Sequence, residues 1–252
     1  MIIIDYKKER EGKVYLTKWG SLIRITNYIN CDNVEVEFLN YNNHKTTTHW
    51  SQIKKGNVSS PYDKTQYKIG YLGEGIYSHK THKKIYDHWH DMLRRCYSEK
   101  YKIKHSTYLE CYVNEEWHNF QNFAQWYEDN YYQVENEEMQ LDKDILIKGN
   151  KEYGPETCVF VPKSINSLFT KTDAKRGNLP IGISIKKNKY IVQIKKYGKV
   201  YHLGSFKEID KAFECYKQKK EEYIKEIADS YQYIIPDILY QALYNWEVEI
   251  SD

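Results

Sequence analysis

The sequence predicts an α+β fold assembled from four successive segments, and three patterns support that prediction. Short runs in which apolar and polar residues alternate, separated by turn formers, occupy residues 13–58 and 178–206. Apolar residues at helical spacing occupy 85–96, 117–127 and 209–227. Between these, residues 140–169 read as strand, loop, strand and short helix. The segments are 1–66, a small β-barrel-like module; 67–172, a helical and strand-loop-strand-helix unit; 173–230, a three-stranded antiparallel sheet packed on one helix; and 231–252, an amphipathic end.

Composition narrows the classes. The chain has 252 residues and a mean hydropathy of -0.82, with no run near the ~18 apolar residues of a spanning helix. An integral membrane protein is excluded on that count. The opening MIIIDYKKER has too short an apolar run for a signal peptide, so the expected location is the cytoplasm. Five cysteines stand singly, without a Cys-x-x-Cys pair. Buried packing of reduced thiols is the expectation for them, ahead of a zinc site gathered from Cys96, Cys111, Cys158 and a histidine.

In the first segment VYLT, LIRITNYI and VEVEFLN are separated by Asn30–Asn33 and Asn40–Asn43. Val34, Val36 and Phe38 alternate with Glu35 and Glu37, so one face is expected inside and one in solvent. Lys54–Val58 and Pro61 close the module. Gly70, Gly73 and Gly75 then form a linker into a helix whose inner face is Ile85, Trp89, Met92, Leu93 and Cys96. A second helix, N-capped by Asn114, presents Trp117, Phe120, Ala124 and Tyr127. QLDKDILI (140–147), a loop from Lys148 to Pro155, CVFVP (158–162) and KSINSLF (163–169) follow. Asp173 to Asn178 is polar apart from Ala174 and reads as a hinge.

The last module has two tight turns, at Lys187-Asn188 and Tyr197-Gly198, between LPIGISIKK, KYIVQIKK and KVYHLGSF. Ser205 and Glu208 have the spacing of a capping box, and Ile209, Ala212, Phe213, Tyr216, Tyr223 and Ile227 make one apolar helix face. One helix covers one side of a sheet. Tyr190, Val192 and Ile194 are expected against it, leaving Ser184, Lys186, Ile191, Gln193, Lys195 and His202 outward. Net charge is only +3, but residues 171–200 hold nine basic groups against Asp173 alone. Such a face can neutralise phosphates and offer donors and acceptors to base edges; a solvated, aggregation-resistant sheet face is the plainer alternative.

Gly182-Ile183-Ser184, the strand from Tyr190 to Lys195, Leu203-Gly204-Ser205-Phe206 and the Ala212/Tyr216 helix resemble the plant ethylene-response-factor (Apetala-type) DNA-binding domain over about 50 residues. That resemblance implies double-stranded DNA as partner and Ser184, Lys186, Lys187, Gln193, Lys195 and His202 as contacts. Plant members carry arginines and tryptophans there, so their target sequence does not transfer.

The 140–169 pattern resembles the ββα-metal (HNH, or His-Me) nuclease finger. With Trp-x-x-Met-Leu-x-Arg-Cys-Tyr at 89–97 and Leu-Asp-Lys-Asp to Phe-Val-Pro at 141–162, it is similar to phage HNH-type homing endonucleases over about 100 residues. This likeness implies Mg²⁺ or Mn²⁺ as cofactor, with no organic cofactor. Asp142, Asp144 and Asn166 are then the metal ligands, Asn150 a loop brace, and Arg94 and Arg95 phosphate contacts. It also implies residence in a bacterial host cell. One position departs: where the common form has a histidine after the first aspartate, this chain has Lys143, a poor base at neutral pH. Either His88, His90, His105 or His118 supplies the base, or the chain binds DNA without cutting it, as a regulator or inhibitor of a defence system. In 231–252, Ile234, Ile238, Leu239, Ala242, Leu243 and Trp246 suit a homodimer joint or a host-protein contact, with core packing as the plainer account.

Overall fold

The computed structural model describes residues 5–41, 44–169, 179–250 and 252. They form two compact units: Met1–Asp129 with Lys151–Pro155, and Asn130–Asn150 with Glu156–Asp252. The expected hinge at Asp173–Asn178, with Lys171, Lys175 and Arg176, lies outside the described residues.

In the first unit, β1 (Val14–Leu16), β2 (Leu22–Asn30), β3 (Asn33–Phe38) and β4 (Lys45–Thr48) form an antiparallel sheet in sequence order. The barrel expected here does not close. Among the described residues β1 pairs only with β2 and β4 only with β3, and four strands are too few to wrap round a filled interior. The alternation is as the sequence predicts, with Val34, Val36 and Phe38 buried beside Ile23, Ile25 and Ile53. Ile53 comes from α1 (Trp50–Lys54), which packs on that face in place of further strands.

Further along, α2 (Lys83–Tyr97) buries Ile85, Trp89, Met92, Leu93 and Cys96, the stripe the 3.6-residue period predicts. Asn114 does cap, accepting from the Glu116 amide, but the turn it opens is a 3₁₀ helix at Glu115–His118; α3 (Phe120–Asn130) starts after it. Trp117 and Phe120 are fully buried, and Trp89 Nε1 donates to the Trp117 carbonyl, which satisfies the one polar atom that indole carries into the core.

The second unit holds two sheets. β5 (Met139–Asp142) pairs antiparallel with β6 (Val159–Pro162), Asp142 standing opposite Val159. The strand expected over 140–147 stops at Asp142, because its side chain turns back to accept from the next amides and bends the chain out of the ladder. A single turn, α4 (Lys163–Asn166), follows β6 and continues as 3₁₀ to Phe169. β7 (Ile183–Lys186), β8 (Lys189–Lys196) and β9 (Lys199–Phe206) form the three-stranded sheet with β8 central. Lys187, Asn188, Tyr197 and Gly198 all have φ between 50° and 78°, as two-residue hairpin turns that match the strand twist require.

α5 (Ile209–Tyr231) crosses the inner face of that sheet, and α6 (Asp237–Tyr244) packs on α5. The Ser205–Glu208 capping box does not form: Ser205 stays in β9 opposite Ile191, and Glu208 is the N-cap without a side-chain cap bond. Ladder pairing of Ser205 displaces the local cap. One hydrophobic core contains Ile145, Val159, Val161 and Ile165 together with Ile183, Val192, Ile194, Ala212, Tyr216 and Leu239, so the β5–β6 finger and the three-stranded sheet fold as one body. Leu239 and Leu243 of the C-terminal segment are spent in this core, whereas Ile234 and Ile238 remain exposed.

Gly182 sets the entry of β7. Its φ is +74°, and a Cβ there would collide with the Tyr216 ring. Gly182→Ala is expected to destabilise the second unit by about 3 kcal/mol, from overpacking plus left-handed strain, read as a lower urea midpoint at unchanged m-value.

Candidate nucleic-acid interface and carboxylate pair

The outer face of the three-stranded sheet follows from the register. Ser184, Ile191 and Ser205 form one row across the strands, and Gln193 stands opposite His202 and Lys195 opposite Val200. Lys186 pairs with Lys189 at the hairpin end. Ser184, Lys186, Lys187, Gln193, Lys195 and His202 are all exposed, while Val192 and Ile194 of the same central strand are buried against the helix side. A bulge at Leu203 shifts the register between Val192 and Gln193 and brings Ser205 within 3.5 Å of His202 Nε2 on this face. Three residues of the face, Lys189, Val200 and Ser205, were not among the sequence candidates. A two-residue turn at 187–188 already forces 189 opposite 186, so Lys189 was readable from the hairpin.

Like charges directly opposite on adjacent strands cost stability. Lys186 and Lys189 nevertheless face each other, and among the described residues neither makes an ion pair. The face carries Lys186, Lys189 and Lys195 with no carboxylate among its paired positions.

The second cluster lies where β5 ends. Asp142 Oδ1 accepts from the backbone amides of Asp144 (2.9 Å) and Ile145 (2.8 Å). Burial pushes its carboxyl up to about 6, the neighbouring Asp144 carboxylate adds to the rise, and the two amides oppose it. Lys143 is buried, with Nζ 3.1 Å from Asp144 Oδ2 and 2.9 Å from the Asn150 carbonyl. Asn150 Nδ2 returns a bond to the Lys143 carbonyl at 2.6 Å, so the two residues clasp the loop from both ends. Asn166 is on α4, half-buried, and donates to Gln140 Oε1 at 2.8 Å. Gln140 is two residues before Asp142 on the same strand face.

Mg²⁺ takes one or two carboxylates and completes its octahedron with water and phosphate oxygens. Asp142 and Asp144 fit that donor set, and a cation would relieve the repulsion that adds to the burial-driven rise of Asp142. Asn166 is engaged with Gln140, and the described residues gather no group of three His, Cys, Asp or Glu able to hold a metal. None of the five cysteines is in a disulfide, and Cys96, Cys111 and Cys158 are buried.

Arg94 and Arg95 lie at the end of α2 in the first unit. Arg94 pairs with Asp91 at 2.9 Å and its guanidinium covers the Tyr101 ring. Arg95 is drawn inward, hydrogen-bonded to Tyr153 and facing Tyr108, so its guanidinium is a packing element rather than an open phosphate contact. Of the four histidines considered as bases, all in the first unit, His118 is half-buried with Nε2 3.1 Å from the Val113 carbonyl, and burial lowers its pKa.

The Asp142 geometry gives a sharp expectation. A folded-state value near 6 against an unfolded 3.8 means the fold holds an extra proton between those pH values, so stability falls as pH rises through that window, by roughly 3 kcal/mol. Asp142→Asn keeps the Oδ1 acceptor without the charge. Its unfolding free energy should be nearly flat from pH 4 to 7 and exceed wild type at pH 7.5; Asp142→Ala, which orphans two amides, should fall about 2 kcal/mol below Asp142→Asn.

No protein-family model, curated protein or solved structure matches this chain. No helix among the described residues is long and apolar enough to cross a membrane.

Proposed function

We propose that the protein binds double-stranded DNA through the outer face of the β7–β9 sheet. The observation that carries this reading is a sheet covered by α5 on one side only, whose other side displays Lys186, Lys189, Lys195, Gln193, Ser184 and His202 without a carboxylate and with two lysines opposed. A phosphate backbone relieves that repulsion. Lysines anchor the backbone, and Gln193, His202 and the serines supply hydrogen bonds to base edges in a major groove. The test is a gel shift with duplex DNA across salt concentrations: binding that weakens steeply with salt supports the reading, and absence of binding at 50 mM salt refutes it.

For the finger, the geometry favours a scaffold that binds without cutting. Lys143, in the place where the resembling nucleases have their base, is buried with its Nζ donating to Asp144 and to the Asn150 carbonyl, so it is engaged in holding the loop rather than open to a water. A second reading, a metal-dependent homing endonuclease of the HNH type, is favoured by the Asp142–Asp144 pair alone. There Mg²⁺ or Mn²⁺ would neutralise charge on the scissile phosphate. The residues of the chain would then hold the cation through Asp142 and Asp144 and keep the loop closed through Lys143 and Asn150. Plasmid incubated with the purified protein and 10 mM Mg²⁺ or Mn²⁺ is expected to remain intact. Cleavage that disappears in Asp142→Asn would establish the second reading instead.

A further inference from the structure

The inner stripe of α5 runs Ala212, Tyr216, Lys220, Tyr223/Ile224 and Ile227/Ala228 at helical spacing, with a lysine where the period calls for an apolar residue. Its neighbours on the stripe, Ala212, Tyr216, Tyr223 and Ile224, are buried. Lys220 is half-buried, and among the described residues its Nζ has one acceptor, the Leu168 carbonyl at 2.8 Å, for three N–H groups. A partly desolvated ammonium without a carboxylate is costly, and none among the described residues pairs with Lys220, so the group marks a place for an anion.

Lys220 lines a cavity of about 680 Å³ within the second unit, in the range typical of small-molecule sites. The walls are Tyr216, Tyr223, Ile194 and Leu168, and the polar lining besides Lys220 is a second lysine, Lys195, and hydroxyls such as those of Ser167 and Tyr231. No carboxylate is among the described lining residues. Glu226 pairs with Lys196, and Glu137 accepts from the Tyr231 hydroxyl that lines the cavity.

We propose that this cavity is a binding site for a small organic anion, an apolar or aromatic body carrying one carboxylate, sulfonate or phosphate head that pairs with Lys220. Aromatic walls take the body, and the ammonium with the surrounding hydroxyls takes the head. Lys195 lines the cavity and also belongs to the outer sheet face, but Lys220 and the aromatic walls do not, so the proposal does not rest on DNA binding and can fail or succeed without it.

The probe is 8-anilinonaphthalene-1-sulfonate titrated into the full chain at pH 7. Saturable binding at one site per chain is expected, weakened at least tenfold in Lys220→Met with the melting transition intact. As a measurement on the unaltered chain, trace acetylation with acetic anhydride, read lysine by lysine by mass spectrometry, should show Lys220 protected at least fivefold by saturating probe, with no lysine outside the cavity lining protected as strongly. Equal affinity in Lys220→Met, non-saturating binding, or unchanged acetylation of Lys220 would overturn the assignment.

Discussion

Lys186→Glu combined with Lys189→Glu is expected to weaken duplex DNA binding by about 100-fold or more at 100 mM salt, and to flatten the salt dependence. Each lysine that neutralises one phosphate contributes about 0.9 to the slope of log affinity against log salt, so losing both lowers that slope by about 1.8. Reversal adds repulsion to the same phosphates, which makes the loss larger than truncation to alanine. Neither side chain makes an ion pair among the described residues, and both are exposed on the uncovered face, so the sheet itself is expected to persist. The pair also remains like-charged in the variant, which keeps the cross-strand term comparable. Gln193→Ala should behave differently. It is expected to narrow discrimination between target and mismatched duplexes by about 1–3 kcal/mol at unchanged salt slope, because an amide reads bases and does not release counterions. Lys211→Glu, on α5 behind the sheet and paired with Glu208, is the control and should leave affinity nearly unchanged. An unaltered salt slope in the double variant would remove this face from the interface.

What was legible in the sequence was mainly what short range decides. The turns at Lys187-Asn188 and Tyr197-Gly198 were readable because few residues accept a positive φ in succession, and once they were placed, period-two alternation separated Val192 and Ile194 from Gln193 and Lys195. The α2 stripe from Ile85 to Cys96 was readable for the same reason at period 3.6. Closure of a barrel is decided by pairing between strands distant in sequence, and alternation in β2 and β3 says nothing about it. Ser205 was misplaced because a capping box is a four-residue pattern, while its competitor is a ladder partner, Ile191, fourteen positions away. At the finger, residue types singled out Asp142, Asp144, Asn150 and Asn166, but the clasp between Asn150 and Lys143 and the bond from Asn166 to Gln140 join residues apart in the chain and have no local signature. The inward turn of Arg95 depends likewise on Tyr153, far along the chain. Sharing of one core by the finger and the sheet has no local signature at all. Lys220, by contrast, was legible and went unread: a lysine four residues after Tyr216 and three before Tyr223 interrupts an otherwise apolar stripe.

That interruption has a measurable cost, and Lys220→Met is expected to stabilise the second unit. Burial lowers the Lys220 ammonium to about 8, from 10.5 in the unfolded chain. Between those values the folded state holds fewer protons than the unfolded one, so stability rises as pH climbs from about 8 to 10.5. Below 8 the whole cost is present, roughly 3 kcal/mol for a difference of this size. Methionine keeps the length of the stem and fills the same channel beside Tyr216 and Tyr223 without a charge. Its substitution forfeits the bond to the Leu168 carbonyl, which offsets about 1 kcal/mol. The net expectation is a gain of about 2 kcal/mol at pH 7, shrinking as pH rises and turning into a small deficit above pH 10.5, where the wild-type amine is neutral in both states and the bond it makes is no longer opposed. Urea unfolding of the two proteins at pH 7, 9 and 10.5, in buffers free of organic anions, reads this directly. A variant less stable than wild type at pH 7 would mean that the Lys220 ammonium already has a compensating partner, and would count equally against the cavity as a site awaiting an anion. A gain at pH 7 that an added organic anion cancels, by stabilising wild type alone, would tie the cost of the buried charge to the ligand that removes it.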